Sequence, residues 1–389
     1  MIGVRVLICP QAFAGTLTAV QAAEAIASGW RTRAPGDELV LAPLSAGGPG
    51  FLDVVGAALG GMTIGVTVSD PLGREVPAAV LIVNRGGRRT AYLEAAQSIG
   101  LHHLAAHDRN PLITSSYGVG QLISVALAEG ADAIVVSVGG GATNDGGAGL
   151  LAALGVGDQH ALACGAGRLA RLADDALLGV HELAARLRRV DLVVATEDDT
   201  PLLGMRGTTV EHAHRKGASP EDIRALEAGL GRFTEVLRRA LPPGKDLLSG
   251  LDRRIDREPG SGAGGGIGYA LMTLGGRRVS ATETVLDSWE FDNLLSSVSL
   301  VVTGEGRLDW RSLKGGTVYA VANAAARRAL PTVVLAGQVE VGRRETMALG
   351  VAGAYAVADG PAQVAAAMTD PVGTLANRAA RLAGTWSLG

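Results

Sequence analysis

A glycine-rich segment holds the residues of this chain whose types and spacing are most specific for chemistry. Residues 138–149 read VGGGATNDGGAG and follow the apolar run at 133–138. Glycines let backbone N–H groups approach an anion, and the polar side chains add further partners. A structural glycine-rich turn would have the same composition, and the GxxxxGK[ST] pattern of a P-loop is absent. The phosphate-binding residues predicted here are Gly139, Gly140, Gly141, Thr143, Asn144 and Asp145.

A second cluster, residues 303–309 with the sequence TGEGRLD, leaves the apolar run at 300–303. Carboxylates at the carboxyl end of a strand lie where open α/β sheets bind ligands, and they could hold Mg²⁺ on a nucleotide. We therefore predict that Gly304, Glu305 and Arg307 bind a nucleotide. The alternative is a solvated loop that contains a local arginine–carboxylate pair.

A third cluster consists of three consecutive acids, Glu197, Asp198 and Asp199, after the apolar run at 191–195. Three acids in a row are typical of a solvated turn, and the alternative is a metal or base site.

Two other patterns favour structural roles. Residues 260–268 contain GxGxxG-like registers, but they follow the charged stretch 253–258 and not a strand, so a dinucleotide-binding fingerprint is poorly supported. The histidines with metal-like spacing lack a third ligand of matching context, and we predict them to be surface residues. They are His102, His103, His107, His212 and His214.

The elements that must position these clusters are short aliphatic runs, which predict buried strands. They lie at residues 4–8, 39–41, 133–138, 191–195, 300–303 and 332–336. Helical patterns lie between them, for example at 18–30 and at 221–240, where Ser219 and Pro220 are the predicted N-cap and first helical residue. Strands that alternate with helices predict a mostly parallel, doubly wound α/β sheet.

Composition excludes several classes of function. The 389 residues contain Lys+Arg 35 and Asp+Glu 38, and a net charge of −3 leaves no basic stripe for a nucleic-acid backbone. Aromatic residues make up only 3%, which argues against stacking on single-stranded nucleic acid. Cys9 and Cys164 are too few for a disulfide framework, and no apolar run approaches about 18 residues. We therefore predict a cytoplasmic protein with no nucleic-acid or membrane partner.

The order of these motifs resembles the bacterial glycerate kinase family (type I) over nearly the whole chain. The matching segments are Cys9-Pro10, Phe13, 15–19, Glu94, 109–112, 116–120, 139–155, 201–204, 216–218, 259–268 and 303–309. The resemblance implies an α/β protein of two domains. One is a flavodoxin-like, doubly wound parallel-sheet domain built from both chain ends, residues 1–65 and 287–389, and the other is an inserted α/β domain, residues 66–286. It also implies transfer of the ATP γ-phosphate to D-glycerate, typically at the 2-hydroxyl, with Mg²⁺.

The resemblance further implies roles for individual residues. The implied catalytic residues are Asp199, Asp309 and Lys216, and the implied metal ligands are Glu197, Asp199 and Asp309. Lys216 and Arg307 would supply positive charge to the phosphates. The implied substrate-binding residues are Gln11, Ser45, Glu94 and Arg109.

Several charged residues of the family's loops are absent from this chain. The first loop usually reads Pro-Asp-Ser-Phe-Lys, and Gln11 and Ala14 stand at its acidic and basic positions. Other replacements are Ala46 and Pro49 for two acids of the second loop, Thr200 for an asparagine, Arg215 for a glutamine and Gly316 for a lysine. Losing one electrostatic group from a transition state typically costs about 10²–10³ in rate.

Two hypotheses about function follow from these losses. The first is an active kinase of glycerate or of a related hydroxy acid that uses ATP and Mg²⁺. The second is a degenerate, non-catalytic paralogue that binds a small ligand or has a regulatory role. The oligomeric state stays open, with a homo-oligomer among the alternatives.

Overall fold

The strands form two sheets in the computed structural model, which describes residues 3–246 and 249–387. In chain order the strands are β1 Arg5–Pro10, β2 Glu38–Leu41, β3 Met62–Ser69, β4 Glu75–Arg85, β5 Arg88–Glu94, β6 Ala133–Ser137, β7 Asp191–Ala195, β8 Arg277–Val279, β9 Leu300–Leu308, β10 Thr332–Val339 and β11 Val351–Ala356.

Helices connect most of these strands. The α-helices are α1 Ala19–Arg33, α2 Phe51–Leu59, α3 Ala96–Ile99, α4 Tyr117–Ala128, α5 Ala148–Ala153, α6 Gln159–Leu162, α7 Val180–Leu187, α8 Thr208–His212, α9 Pro220–Ala240, α10 Ala263–Thr273, α11 Ala281–Ser288, α12 Phe291–Ser296, α13 Gly316–Ala326, α14 Arg343–Ala348, α15 Pro361–Thr369 and α16 Pro371–Trp386. Short 3₁₀-helices lie at Leu101–His103, Ala106–Asp108, Ala166–Arg171, Ala213–Lys216 and Ile255–Arg257. Within the described ranges, no helix combines the length and apolar character that crossing a membrane requires.

The chain divides into two compact units. The first contains Met1–Ala46, Asp53–Leu59 and Ala281–Gly389, and the second contains Gly47–Leu52 and Gly60–Ser280. The domain boundaries predicted after residues 65 and 286 fall inside β3 and α11. Each residue of β3 pairs with a residue of β4, so the ladder keeps this strand in the second unit.

The sheet of the first unit has the strand order β2-β1-β9-β10-β11, and its neighbouring strands are all parallel. Counted along the chain within this sheet, the order is 2-1-3-4-5, which is the flavodoxin-like order. One face of the sheet is covered by a cluster that includes Ile26 and Trp30 of α1 and Leu375 of α16. The predicted α/β fold class, with a parallel doubly wound sheet made from both chain ends, is confirmed.

Strand β9 continues to Leu308, past the predicted strand end at Thr303. The alternative of a solvated loop does not hold for residues 304–308, because they extend the parallel ladder with β10: Gly304 lies opposite Leu335, and Glu305 lies opposite Ala336. The predicted nucleotide-binding residues of this segment therefore lie on a strand, and the turn begins only after it.

The sheet of the second unit has the order β3-β4-β5-β6-β7-β8. Strands β3, β4 and β5 are antiparallel, whereas β5 to β8 are parallel. The sequence did not indicate β3, whose residues are exposed or half-buried except Val68, so it lacks the continuous apolar run of a buried strand. The core of this unit includes Ile134, Val136 and Phe233, all fully buried.

Helix α9 begins as its sequence predicts. Ser219 is the N-cap, and its side chain accepts a hydrogen bond from the backbone N–H of Asp222. The Asp222 carboxylate accepts the N–H of Ser219 in return, which completes a capping box with Pro220 at the first helical position.

Candidate functional site

Lys216 lies buried beside the glycine-rich segment, in the second unit. Its Nζ donates a hydrogen bond to the carbonyl oxygen of Thr143 at 2.7 Å, and the residue is only 7% exposed. The 3₁₀-helix Ala213–Lys216 positions it, and Gly217 ends this turn in the left-handed region, with a φ of +94°. A buried ammonium group is costly unless opposite charge lies close to it.

Two carboxylates supply that charge. Burial lowers the pKa of Lys216 to about 8, and the attraction of Asp198 and Asp145 opposes this effect. The ammonium group is therefore mostly charged at neutral pH and loses its proton as the pH rises through about 8. A desolvated cation of this kind is suited to stabilising negative charge on a ligand.

Asp198 is the acid of the 197–199 run that acts on Lys216. Its Oδ1 accepts hydrogen bonds from the N–H of Thr200 at 2.9 Å and from the hydroxyl at 2.7 Å, and its Oδ2 lies 3.4 Å from Nε2 of His212. Burial acts to raise the pKa of Asp198, but these contacts hold it below its ordinary value. Sequence reasoning missed this residue because adjacent acids do not reveal which one points inward, and it missed His212, which is half-buried against it.

The other two acids of the run have different partners. Oδ1 of Asp199 lies 2.5 Å from Nη2 of Arg278, and the Asp199 side chain is 74% exposed. Oε1 of Glu197 accepts a hydrogen bond from the hydroxyl of Ser280 at 2.7 Å.

The backbone of the glycine-rich segment offers donors that the described part of the chain does not use. The N–H groups of Gly139, Gly140 and Gly141 donate to no acceptor among the described residues, whereas the Gly140 carbonyl accepts the N–H of Leu101 at 3.0 Å. Gly140 is exposed and its two neighbours are half-buried. Successive unpaired N–H groups form an anion-binding arrangement, in the same segment whose Thr143 holds Lys216.

The side chains of Thr143 and Asn144 are turned into the protein. The Thr143 hydroxyl donates to the carbonyl of Gly264 at 3.0 Å, and Nδ2 of Asn144 donates to the hydroxyl of Thr209 at 3.0 Å. Oδ1 of Asn144 is buried without a hydrogen-bond partner among the described residues. Both side chains thus stabilise the glycine-rich segment, and Oδ1 of Asn144 accepts no hydrogen bond from the described residues.

The glycines at 260–268 serve this same packing. Gly265 has a φ of +71°, and a Cβ atom on it would lie 2.0 Å from the carbonyl oxygen of Thr143. Only glycine allows the two backbones to approach so closely. The close contact between these two backbone segments explains the glycines of the GxGxxG-like pattern, so a dinucleotide site is not needed to explain them.

Asp145 is completely buried. Its Oδ1 accepts the N–H of Gly147 at 3.0 Å, and its Oδ2 accepts the N–H of Gly149 at 3.2 Å and both donors of Ser116. Burial raises the pKa of Asp145, and these four hydrogen bonds oppose the rise. Both carboxylate oxygens of Asp145 already accept hydrogen bonds from the protein. The predicted contact of Asp145 with a phosphate stays a prediction.

Two predicted substrate-binding residues lie in the same unit. Nε of Arg109 is buried without a hydrogen-bond partner in the described residues, and the Arg109 carbonyl packs against Gly217, next to Lys216. Glu94 is 4% exposed, and its carboxylate accepts the N–H groups of Gly50 at 3.2 Å and Leu52 at 3.1 Å. Arg109 therefore keeps an unused, buried donor and its backbone adjoins the turn that carries the lysine, whereas Glu94 holds the segment 47–52.

In the first unit, Gln11 and Glu305 connect the carboxyl ends of β1 and β9. Nε2 of Gln11 donates to Oε2 of Glu305 at 2.8 Å, and Oε1 of Glu305 is buried without a hydrogen bond within the described residues. Burial raises the pKa of Glu305 to about 7, the Asp309 carboxylate adds to this rise, and the Ser312 hydroxyl and Gln11 amide oppose it. Ser45, also predicted to bind substrate, is buried in this unit.

Asp309 follows β9 and is clamped by an arginine. Its Oδ2 accepts hydrogen bonds from Nε of Arg311 at 3.0 Å and Nη2 at 2.7 Å, and its Oδ1 accepts the backbone N–H of Arg311 at 2.8 Å. This arginine holds the pKa of Asp309 below its usual value. Arg307 is more than half exposed, and it lies 3.5 Å from a carboxylate oxygen of Glu340.

Each carboxylate predicted to hold Mg²⁺ already has a partner in the protein. Asp199 is paired with Arg278, Asp309 is paired with Arg311, and Glu197 binds Ser280. In the residues that the structure describes, no group of three His, Cys, Asp or Glu side chains is arranged to hold a metal ion. Hard cations take oxygen ligands, and at least one oxygen of each of these carboxylates is engaged by a cationic or hydroxyl donor.

The second unit therefore carries several groups whose chemistry favours an anionic ligand. Three unpaired N–H groups and the buried ammonium of Lys216 can hold an anionic ligand, and Arg109 adds a guanidinium donor. Asp198 adds a carboxylate close enough to attract Lys216. Together these groups have the charges that transfer of a phosphoryl group to an anionic acceptor requires.

Comparisons with known proteins agree over almost the whole chain. The model of the "Glycerate kinase family" matches residues 6–387. The glycerate kinase of Halalkalibacterium halodurans is 36% identical over 90% of this chain and 90% of its own length. The glycerate 2-kinase of Escherichia coli is 35% identical over 86% of this chain and 85% of its own length. A crystal structure of a Salmonella typhimurium LT2 protein assigned as glycerate kinase 2 is 31% identical, covers 98% of both chains and has a TM-score of 0.77.

Proposed function

Because the chain belongs to the glycerate kinase family, we propose that it phosphorylates D-glycerate at the 2-hydroxyl, with ATP as the phosphoryl donor. The observation that carries the proposal is the buried Lys216 ammonium, which is hydrogen-bonded to the same glycine-rich segment that contains three unpaired N–H groups. The choice of the 2-hydroxyl is supported by similarity to the relative named glycerate 2-kinase.

In this proposal the second unit binds the reacting groups. The N–H groups of Gly139, Gly140 and Gly141 bind phosphate oxygens, and Lys216 stabilises the negative charge of the transferring phosphoryl group. The guanidinium group of Arg109 is the proposed partner of the glycerate carboxylate. Thr143, Asn144 and Asp145 keep the segment in place through their buried hydrogen bonds.

We add Asp198 to the predicted catalytic residues as the acceptor of the substrate's hydroxyl proton. Its support is its partial burial and its electrostatic contact with Lys216. The O–H bond of glycerate breaks and the proton moves to Asp198, while the oxygen attacks the γ-phosphorus and ADP leaves. The catalytic roles predicted for Asp199 and Asp309 stay predictions, to be compared with that of Asp198 by substitution.

The first unit contributes the remaining proposed nucleotide contacts. These are Gly304, Glu305 and Arg307. Of the proposed substrate contacts, Gln11 and Ser45 lie in the first unit and Glu94 lies in the second. Mg²⁺ is proposed only as the companion of ATP, because the carboxylates predicted as its ligands are engaged by arginines and a serine. No step of the proposal depends on the metal.

We also propose that the protein acts in the cytoplasm. The support is that Cys9 and Cys164 are both free thiols, as a reducing compartment favours. A homo-oligomer stays an open prediction.

The test is a coupled assay of ADP release with ATP, Mg²⁺ and D-glycerate, followed by identification of the phosphorylated product. The variant Lys216→Met removes the proposed cation, and the matched control is Lys245→Met, which removes an exposed lysine paired with Asp252. We expect glycerate-dependent turnover in the natural protein and the control, and a loss of about 10²–10³-fold in kcat/KM in Lys216→Met. Folded protein without turnover would reject the proposal.

The second hypothesis, a non-catalytic paralogue, is favoured by the uncharged residues Gln11, Ala14, Ala46, Pro49 and Gly316. The same assay separates the two. Glycerate phosphorylation by the natural sequence eliminates the paralogue, whereas calorimetric binding of glycerate or ATP without turnover supports it.

A further inference from the structure

An apolar cavity lies in the first unit, apart from the residues assigned above. It has a volume of about 100 Å³. Its walls are mainly apolar side chains, among them Phe13, Val364 and Ala367. The hydroxyls in its lining, including that of Thr374, bind backbone carbonyls of their own turns. The cavity therefore presents a hydrophobic interior with few free polar groups, as binding sites for planar organic ligands do.

The cavity lies at the carboxyl ends of the parallel strands. Gly306 of β9 and Gly337 of β10 line it, as do Val357 and Ala358 just after β11. Open parallel sheets bind their ligands in the crevice outside these ends. Position and lining thus both indicate a ligand site.

Helix α15 covers the cavity without being anchored in the core. None of its residues is buried, and Val364 and Ala367 on its inner side line the cavity. Few buried apolar contacts are typical of segments that open at low cost in free energy. Outward displacement of α15 would enlarge a cavity that is smaller than the roughly 300 Å³ of typical small-molecule sites.

Gln338 gives the cavity a hydrogen-bonding edge and a neighbouring cation. It lines the cavity, and its Nε2 donates to no acceptor among the residues that the structure describes. Gln338 lies opposite Arg307 in the ladder of β10 and β9, and Nη2 of Arg307 is 3.5 Å from its Oε1. A side-chain amide can donate to a ring nitrogen and accept from an exocyclic amine, and the arginine can bind phosphate next to it.

We propose that this cavity takes the purine base of the nucleotide, with the phosphates outside it on the Arg307 side. An apolar interior, one amide at the edge and an adjacent exposed cation match a flat, weakly polar ring that carries an anionic tail. The cavity is too small for a whole nucleotide, so the ribose and phosphates must lie beyond its mouth. This inference rests on the proposed use of ATP and assigns its base to particular residues.

The test fills the cavity from the helix that covers it. Ala367→Trp places an indole in the cavity, and the matched control is Ala366→Trp, which alters the exposed neighbour on the same helix. Calorimetry on the full chain measures the Kd of ADP and, separately, of inorganic tripolyphosphate. We expect Ala367→Trp to weaken ADP binding by about tenfold or more, with tripolyphosphate binding unchanged and Ala366→Trp equal to the parent.

A second variant covers the case in which Ala367→Trp does not fold, as judged by circular dichroism and thermal unfolding. Ala14→Leu fills the opposite wall from an exposed position, and we expect it to weaken ADP binding in the same way. Undiminished ADP binding in the folded variants would overturn the proposal, as would equal weakening of tripolyphosphate binding, or no ADP binding by the parent.

The outcome is separable from that of the kinase assay. ADP binding that responds to the cavity variants without glycerate turnover would keep the base site and reject the proposed function. Glycerate turnover with an unchanged KM for ATP in Ala367→Trp would keep the function and reject the base site.

Discussion

Oδ2 of Asp145 accepts two hydrogen bonds from Ser116, one from the backbone N–H at 2.8 Å and one from the hydroxyl at 2.9 Å. The Ser116 hydroxyl also accepts the N–H of Leu150 at 3.0 Å. Ser116 immediately precedes α4, and Leu150 belongs to α5. One buried carboxylate therefore connects the glycine-rich segment with the starts of two helices, and the position of the anion-binding donors depends on it.

The first prediction concerns the stability that this carboxylate provides. Asp145→Asn keeps the shape but places an amide donor among N–H donors, so at least one hydrogen bond to a buried charge is lost. We expect the free energy of unfolding in urea to fall by about 1.5–3 kcal/mol. The control is Asp53→Asn, at an exposed position in α2, which should stay within about 0.5 kcal/mol of the parent. Equal stabilities for both variants would contradict the role assigned to Asp145.

The second prediction concerns the pH dependence of activity. Burial lowers the pKa of Lys216 to about 8, so the ammonium is charged below this pH and neutral above it. We therefore expect kcat/KM to decrease as the pH rises through about 8. Lys216→Arg keeps the charge at all accessible pH values, because the guanidinium titrates only above about 12. Its profile should lack this alkaline decrease even if its maximum is lower, and an unchanged alkaline limb would assign the titration to another group.

The third prediction separates the adjacent acids Asp198 and Asp199. Asp198→Asn removes the proposed proton acceptor, and we expect kcat to fall by about 10²–10⁴-fold. The alkaline limb should also move to lower pH, because the Lys216 ammonium loses an attractive charge. Asp199→Asn breaks only an exposed pair with Arg278, so a change in kcat within about threefold is expected. The reverse ranking in steady-state kinetics would return the catalytic role to Asp199.

The fourth prediction concerns Glu305 and the dependence of stability on pH. The pKa of Glu305 is raised from 4.5 to about 7, so the folded state holds a proton in this window that the unfolded state has released. Protonation of Glu305 therefore contributes to the free energy of unfolding at acidic pH. This contribution should be lost as the pH rises from about 4.5 to 7. In Glu305→Gln this decrease should be smaller, by about 1–3 kcal/mol across the window. Urea unfolding at pH 5 and pH 7.5 measures it, and identical pH slopes in both proteins would refute the assignment.

The fifth prediction asks what happens when the acid typical of the family's first loop is restored. Gln11→Asp replaces the amide that donates to Glu305 with a second carboxylate. At pH 8 both groups would be ionised, and we expect a loss of about 1–3 kcal/mol in unfolding free energy, with a smaller loss at pH 5, where Glu305 is protonated. The control is Gln11→Glu, which introduces the same negative charge on a side chain as long as that of the natural glutamine. A Gln11→Asp variant as stable as the parent at pH 8 would show that Glu305 does not depend on the amide.

Much of the fold could be predicted because buried strands have a local signature. The run at 191–195 coincides with β7, and the start of α9 at Ser219 and Pro220 follows from the chemistry of its cap. Strand β3 escaped prediction because its residues are mostly exposed, and the extension of β9 escaped because Gly304 to Arg307 resemble a turn until β10 lies alongside. Pairing partners are supplied by the tertiary structure, so no local pattern could reveal them.

The site was predictable as segments but not as contacts. The sequence singled out Lys216 and the glycine-rich segment, yet it could not show that Thr143 accepts the lysine's hydrogen bond. It also could not show which of three adjacent acids turns inward. Asp198 and Asp199 are the same residue type in the same turn, and only the orientation of their side chains distinguishes them. Nor could it anticipate that Arg278 and Arg311 would engage the carboxylates predicted for a metal.

The pairing of β1 with β9 has a consequence for the order in which the protein is made. Val6 pairs with Leu300, so β1 must wait for almost three hundred further residues before its second neighbour in the sheet has been synthesised. The sheet of the second unit is complete once β8 has emerged, and a domain whose strands are all present can fold during synthesis. Nascent chains therefore carry β1 and β2 as an unfinished sheet edge until β9 has been synthesised, and an unpaired strand edge is a template for aggregation.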